Sequence, residues 1–361
     1  MHDKYKVDSQ KIAYFPGRIA QWLSAGEDWE KLKNVYPIYM EVSPSGGCNH
    51  RCIFCAVDYL GYKSNFLDYK AYLSFLKVAA EKGVKSIMFG GEGEPFIHPK
   101  MLEMSLETKK NGIDIAFTTN GALMSPNILD QLLEKTNWIK ISLDAATPRT
   151  HALIHGTKEK DFEKIISNLK YAIRLKRENN YKCSLGVQLL LLPQNINDVF
   201  PLAQMSKDLG IDYFVVKPYS QGLYSNNKFV MDYREYVNLA EKINSLSDES
   251  FSAVFRTQAF KQAVSQEEQY KHCLATPFFW AYLMTNGDIY SCSVFLGKEE
   301  FKLGNINEKS FNEIWEGEKR KMNWELVRNM PTKECRVNCR MDKVNAYLGG
   351  IKNPPDNYTF I

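Results

Sequence analysis

The chain lacks any long hydrophobic run. Its longest aliphatic stretch, Leu189–Leu192, is far short of the roughly 18 apolar residues a membrane-spanning helix needs, and Met1–Lys11 is polar rather than signal-like. An excess of one charge is also missing. Forty-six Lys and Arg stand against 42 Asp and Glu, a net charge of +4, which is too mild to imply a nucleic-acid or membrane-surface partner. No internal repeat, low-complexity tract or long linker is present. These absences lead to the expectation of a cytoplasmic protein that acts without nucleic acid or membrane. The 361 residues are 44% hydrophobic and 24% charged, enough apolar material for a sizeable core. The length suggests two domains, or one α/β barrel of roughly 200–250 residues with an addition.

Apolar runs alternate with amphipathic ones after about Pro37. Ile38–Val42, Ser86–Phe89, Ile113–Phe117, Trp138–Leu143, Leu185–Leu192 and Tyr213–Val216 read as buried strands. Between them lie helical patterns, such as Tyr69, Tyr72, Leu73, Leu76 and Phe162, Ile165, Ile166, Leu169. A repeated βα unit implies a parallel sheet with right-handed crossovers, doubly wound or curled into a full or partial barrel. In either form the active site belongs at the C-terminal ends of the strands. The alternation stops after about Phe260, where Asn286-Gly287-Asp288 marks a hairpin between Trp280–Thr285 and Ile289–Ser293. The expected organisation is a helical lead-in over 1–36, a barrel over 37–258, a cysteine-bearing domain over 259–345 and a loosely docked tail over 346–361.

Eight cysteines in a chain without an export signal point to metal binding rather than disulfides. Cys48, Cys52 and Cys55 form a C-x3-C-x2-C triplet just after the first strand, behind Ser45-Gly46-Gly47. Three thiolates on so short a loop suit a [4Fe–4S] cluster with one iron left open for chemistry. The alternative is a structural zinc site with His50 as fourth ligand, but zinc sites favour paired C-x2-C motifs. His50 is expected to be solvated or to support the ligands.

This loop, with Phe54 at its aromatic position, resembles the signature of the radical S-adenosylmethionine (SAM) superfamily. The resemblance implies a partial (β/α)6 barrel in which the triplet holds a [4Fe–4S] cluster that binds SAM. It also implies reductive cleavage of SAM to a 5′-deoxyadenosyl radical, driven by an electron donor such as flavodoxin or ferredoxin. Gly91, Glu92, Gly93 and Glu94, at the end of the second strand, match the family's glycine-glutamate motif for the SAM amino group. The extra Glu-Gly pair leaves open which carboxylate is used. Asn120, Ser142 and Asn195 stand at later strand ends where relatives contact SAM, although such residues also cap helices and close turns.

Cys273, Cys292, Cys335 and Cys339 form a second set around the hairpin. Their arrangement resembles the twitch domain, a shortened SPASM extension with a β-hairpin, a helix and one auxiliary [4Fe–4S] cluster. A four-cysteine zinc brace is the alternative. Cys183 is left as a buried core thiol. By analogy with twitch enzymes, the expected reaction is a two-electron oxidation of a small polar or sugar-like alcohol. Lys217, Gln221 and Arg256 are candidate substrate contacts, the cations suiting phosphate or carboxylate. Tyr219 and Asp144 are candidates for proton movement.

Two other readings compete. A ribosomal-peptide maturase, forming thioethers or epimerising, would use the same initiation, but only about 36 residues precede the first strand, so leader recognition would need a separate partner. A non-catalytic SAM-binding regulator is argued against by the intact motifs. Molybdopterin-precursor cyclases carry three C-terminal cysteines and a terminal Gly-Gly, neither of which matches this chain.

Overall fold

Strand residues alternate between two chemistries, and the sheet follows from that. The computed structural model describes residues 3–360 apart from 230, 237 and 266–269. Seven parallel strands come first: β1 Tyr39–Val42, β2 Ser86–Phe89, β3 Asp114–Thr119, β4 Trp138–Ser142, β5 Ser184–Leu191, β6 Tyr213–Pro218 and β7 Ser252–Phe255. They pair in chain order, as short right-handed βα connections favour. One face carries Met40, Val42, Ile87, Phe89, Ile139, Ile141, Val187, Phe214 and Val216, all buried in the main core. The helices Tyr69–Glu81, Met101–Lys110, Glu159–Asn179 and Val199–Leu209 cover it. The other face holds Glu41, Met88, Thr118, Lys140, Ser142 and Lys217, and it forms the inside of a partial barrel.

The C-terminal region continues the same sheet. β8 (Trp280–Leu283) pairs in parallel with β1, in register Tyr39–Trp280 to Val42–Leu283. β9 (Asp288–Tyr290) and β10 (Lys302–Asn305) then add antiparallel. The expected hairpin is present, its turn closed by the Gly287 N–H donating to the Met284 carbonyl, with Gly287 at φ +88°. The region holds more than a hairpin and one helix: a third strand and the helices Phe311–Trp315, Glu318–Asn329 and Asp342–Lys352 complete it.

A second core joins the lead-in to this region. Ile19, Trp22, Leu32 and Val35 pack with Phe278, Phe279, Trp280, Val327 and Leu348. Because Leu348 is fully buried and its helix runs to Lys352, residues 346–352 are not tail, and the exposed end is confined to 353–360. Before the lead-in helices, Tyr5 and Val7 pack on Tyr213, Val215 and Val254, lining the inner face of β6 and β7. Cys183 lies in the main core, as expected of a structural thiol.

Candidate active site

Two glycine-rich loops meet at the top of β1 and β2. The Cys48–Cys55 loop is half-buried and its thiols are free. Burial and neighbouring thiols raise the pKa of Cys48 to about 11 and that of Cys52 well above the usual thiol range. The three sulfurs therefore share one electrostatic environment, and this donor set suits an iron–sulfur cluster, whose iron charge would stabilise the thiolates. The second loop packs directly on the first: the Glu94 N–H donates to the Gly47 carbonyl at 3.0 Å. A side chain at Gly93 would collide with that same carbonyl oxygen, and one at Gly91 (φ +110°) with the Tyr282 hydroxyl. The glycines thus allow two backbones to touch.

The two glutamates diverge. Glu92 accepts the Thr285 N–H at 2.9 Å and the Thr285 hydroxyl at 3.2–3.3 Å, tying the loop to the hairpin after β8. Glu94 turns inward and is 2% exposed. Its oxygens accept from the Thr119 hydroxyl at 2.6 Å and the Asn120 N–H at 2.9 Å. Burial pushes its carboxyl up to about 7, partly offset by these bonds. Glu94 has no cation partner among the described residues. Asn120 also donates to the Asn49 side chain at 2.8 Å, linking β3 to the cysteine loop.

Other candidates are placed differently. Ser142 shares the inner face of β4 with Trp138 and Lys140. Phe54 packs edge-on against His155, their ring centroids 5.4 Å apart. The Asn195 side chain is fully used on backbone, accepting from Leu192 N–H and donating to the Leu190 carbonyl and, beyond its own turn, to the Asp144 carbonyl. Asp144, expected to move a proton, is wholly buried at φ +57°. One of its oxygens accepts the Leu190 N–H at 2.6 Å, and the other lies 3.2 Å from His155 Nε2. With these partners Asp144 holds the β5 backbone and His155, and its charge also acts on Lys140 and Lys217 inside the barrel. Gln221, expected at the substrate, donates to the Gly222 and Asn227 carbonyls and shapes its own loop. Tyr219 is 7% exposed, and its backbone N–H is held by the Tyr233 hydroxyl.

Behind the triplet lies a group that sequence reasoning missed. His50, His151 and His155 are fully buried, with one nitrogen from each within 4.8 Å of the others. His155 Nδ1 sits 3.2 Å from Cys52 Sγ. The expectation of a solvated His50 fails because the i, i+4 pair His151 and His155 on the helix Pro148–His155 encloses it. That H-x3-H spacing was the available signal.

The C-terminal cysteines converge as well. Cys273, Cys292, Cys335 and Cys339 line one small cavity with Tyr270, Thr276 and Phe295. Burial and the neighbouring thiols push Cys292 and Cys335 up to about 12. Four thiols around one void fit an auxiliary cluster.

A larger cavity of about 350 Å³ occupies the barrel interior. Met88, Lys140, Lys217 and Arg256 line it with the strand-start residues Tyr39, Trp138, Ser184 and Tyr213, and Cys339, Arg340, Met341 and Asp342 border it from the C-terminal region. The cavity therefore borders the auxiliary cysteine set directly.

Comparison with known proteins agrees with this layout. Residues 42–205 match the Radical SAM superfamily, and residues 273–340 match SPASM, an iron-sulfur cluster-binding domain. The tungsten-containing aldehyde ferredoxin oxidoreductase cofactor-modifying protein of Pyrococcus furiosus is 26% identical over 300 residues, 78% of this chain and 81% of that protein. The AdoMet-dependent heme synthase of Methanosarcina barkeri is 23% identical over 292 residues, 75% and 80% of the two chains. Among solved structures, Streptococcus suis SuiB bound to precursor peptide SuiA is similar in fold, with a TM-score of 0.68 and 19% identity, covering 95% of this chain and 78% of that one.

Proposed function

Because this chain belongs to the radical SAM superfamily and carries a SPASM iron–sulfur domain, it is an enzyme that uses SAM and iron–sulfur clusters, and we propose that it dehydrogenates a small polar alcohol. The observation that carries this reading is the cavity of about 350 Å³ inside the barrel, lined by Lys140, Lys217 and Arg256 and bordered by Cys339. Its volume lies in the range of small-molecule sites. Two relatives named for modifying or making a cofactor support a non-peptide substrate, whereas the likeness to SuiB extends to the fold alone.

Cys48, Cys52 and Cys55 would hold the SAM-binding [4Fe–4S] cluster, and Cys273, Cys292, Cys335 and Cys339 the auxiliary one. When bound, these groups supply a hydrogen-abstracting adenosyl radical at the strand ends and an electron acceptor beside the cavity. Glu94 is the better carboxylate for the SAM ammonium, since it is inward, buried and without a cation, while Glu92 is occupied by Thr285. Gly91 and Gly93 let the two loops touch, and Asn120, Ser142 and Phe54 are the further residues assigned to SAM. Lys217 and Arg256 hold the substrate from the barrel wall. Tyr219, its phenol kept protonated by burial, donates a hydrogen bond rather than taking a proton. In net terms the alcohol carbon loses a hydrogen atom, its hydroxyl loses a proton, and one further electron leaves, giving a carbonyl. The reducing electron for initiation comes from an external donor of the flavodoxin or ferredoxin kind.

Anaerobic reconstitution tests the assignment. Wild type should bind about eight irons and the Cys48/Cys52/Cys55→Ala variant about four. The four-fold Cys273/Cys292/Cys335/Cys339→Ala variant should also bind about four. Only proteins with the first triplet should release 5′-deoxyadenosine after reduction. About four irons in wild type, with none in the triplet variant, would leave the dehydrogenation without its acceptor and sink it.

A further inference from the structure

Two lysines meet inside the barrel, and Asp144, the carboxylate that acts on both, is itself engaged by the Leu190 N–H and His155. Lys140 projects from the inner face of β4 and Lys217 from β6, and their side chains come within hydrogen-bonding reach. Neither has an ion-pair partner among the described residues. Arg256 joins them from the end of β7, and Arg336 acts on Lys217 from the loop between two auxiliary cysteines. Trp138 lies under the group, its ring centroid 5.8 Å from the Lys140 ammonium. Elsewhere comparable cations are matched: Lys176 pairs with Asp212, Lys302 with Asp288, and Arg340 with Glu41. Even Arg256 is held by Asp8, at 2.9 Å, on one edge only.

Like charges in a region of low dielectric repel strongly, and taking ammonium groups out of water adds to the cost. Both effects act here, burial first and then the neighbouring cations, lowering Lys140 to about 8 and Lys217 well below the usual lysine range, with Asp144 offsetting part of the effect. The pair nevertheless keeps surface open to the cavity, which also touches Cys339. An anion entering that cavity would remove the repulsion and gain several charge-assisted hydrogen bonds at once.

We infer that Lys140, Lys217 and Arg256 form a binding site for an anionic group of the substrate, a phosphate or a carboxylate, and that the substrate is therefore an acid or phosphorylated compound rather than a neutral alcohol. This rests on the reading of the cavity as the substrate site. Anchored there, the substrate lies inside the barrel beside Cys339.

The test needs neither SAM nor a reductant, so it is independent of radical chemistry. The reconstituted holoprotein is titrated by calorimetry with inorganic phosphate and, separately, with malonate. One of the two should bind, and the tighter names the handle. Lys140→Met and Lys217→Met should each weaken it on the order of tenfold to a hundredfold, the worth of a charge-assisted bond. Each variant should unfold at a temperature equal to or above that of wild type without anion, because a repelling charge has gone. No binding of either anion to wild type would overturn the inference. So would equal affinity in both lysine variants, or a lysine variant that unfolds earlier than wild type.

Discussion

Glu94 shows how much one side chain depends on direction. It stands two residues from Glu92, yet its carboxylate turns to Thr119 and Asn120 while that of Glu92 turns to Thr285. If Glu94 receives the SAM ammonium, Glu94→Gln should weaken SAM binding on the order of tenfold to a hundredfold, by equilibrium binding to reconstituted protein. Glu92→Gln should cost less, and an equal loss would reassign the role. The pH dependence has a definite sign. Burial pushes the Glu94 carboxyl up to about 7, so it is protonated below that pH and cannot pair with an ammonium. Lowering the pH from about 8 to about 6 should reduce SAM affinity roughly tenfold in wild type and much less in Glu94→Gln.

Between elements, the contact of the two loops is made by backbone. Gly93 lies against the Gly47 carbonyl, leaving no room for a methyl group. Gly93→Ala must push the Glu94 loop away from the cysteine loop, an overpacking that costs about 1–3 kcal/mol. The expected results are a melting temperature several degrees lower and a reduced iron content. An unchanged iron content would show that the cysteine loop does not rely on its neighbour. The glycines were legible in the sequence as a motif, but their packing partner was not, since Gly47 and Gly93 are distant in the chain. The same holds for His50, whose enclosure depends on a helix about a hundred residues later.

At the scale of the molecule, Arg320 ties the lead-in to the cluster domain. It is fully buried and donates to the carbonyls of Pro277, Trp315, Leu32, Val35 and Lys33, with its guanidinium 4.1 Å from the Trp315 ring centroid. Arg320→Met would leave those buried carbonyls unpaired and cost on the order of 3 kcal/mol or more, read as loss of melting temperature in the reconstituted protein. A loss confined to a few tenths of a kcal/mol would mean that water replaces the guanidinium. The βα repeat, the two cysteine sets and the hairpin were determined by the sequence alone, because each rests on local periodicity, spacing or turn chemistry. Six of the parallel strands fall within a residue or two of their expected places. Only the tertiary structure decided that β8 joins β1, that Asn195 and Gln221 are spent on backbone while Asp144 is shared between backbone and His155, and that Lys140 faces Lys217. Those outcomes depend on which residues distant in sequence meet across the barrel, and no local pattern encodes that.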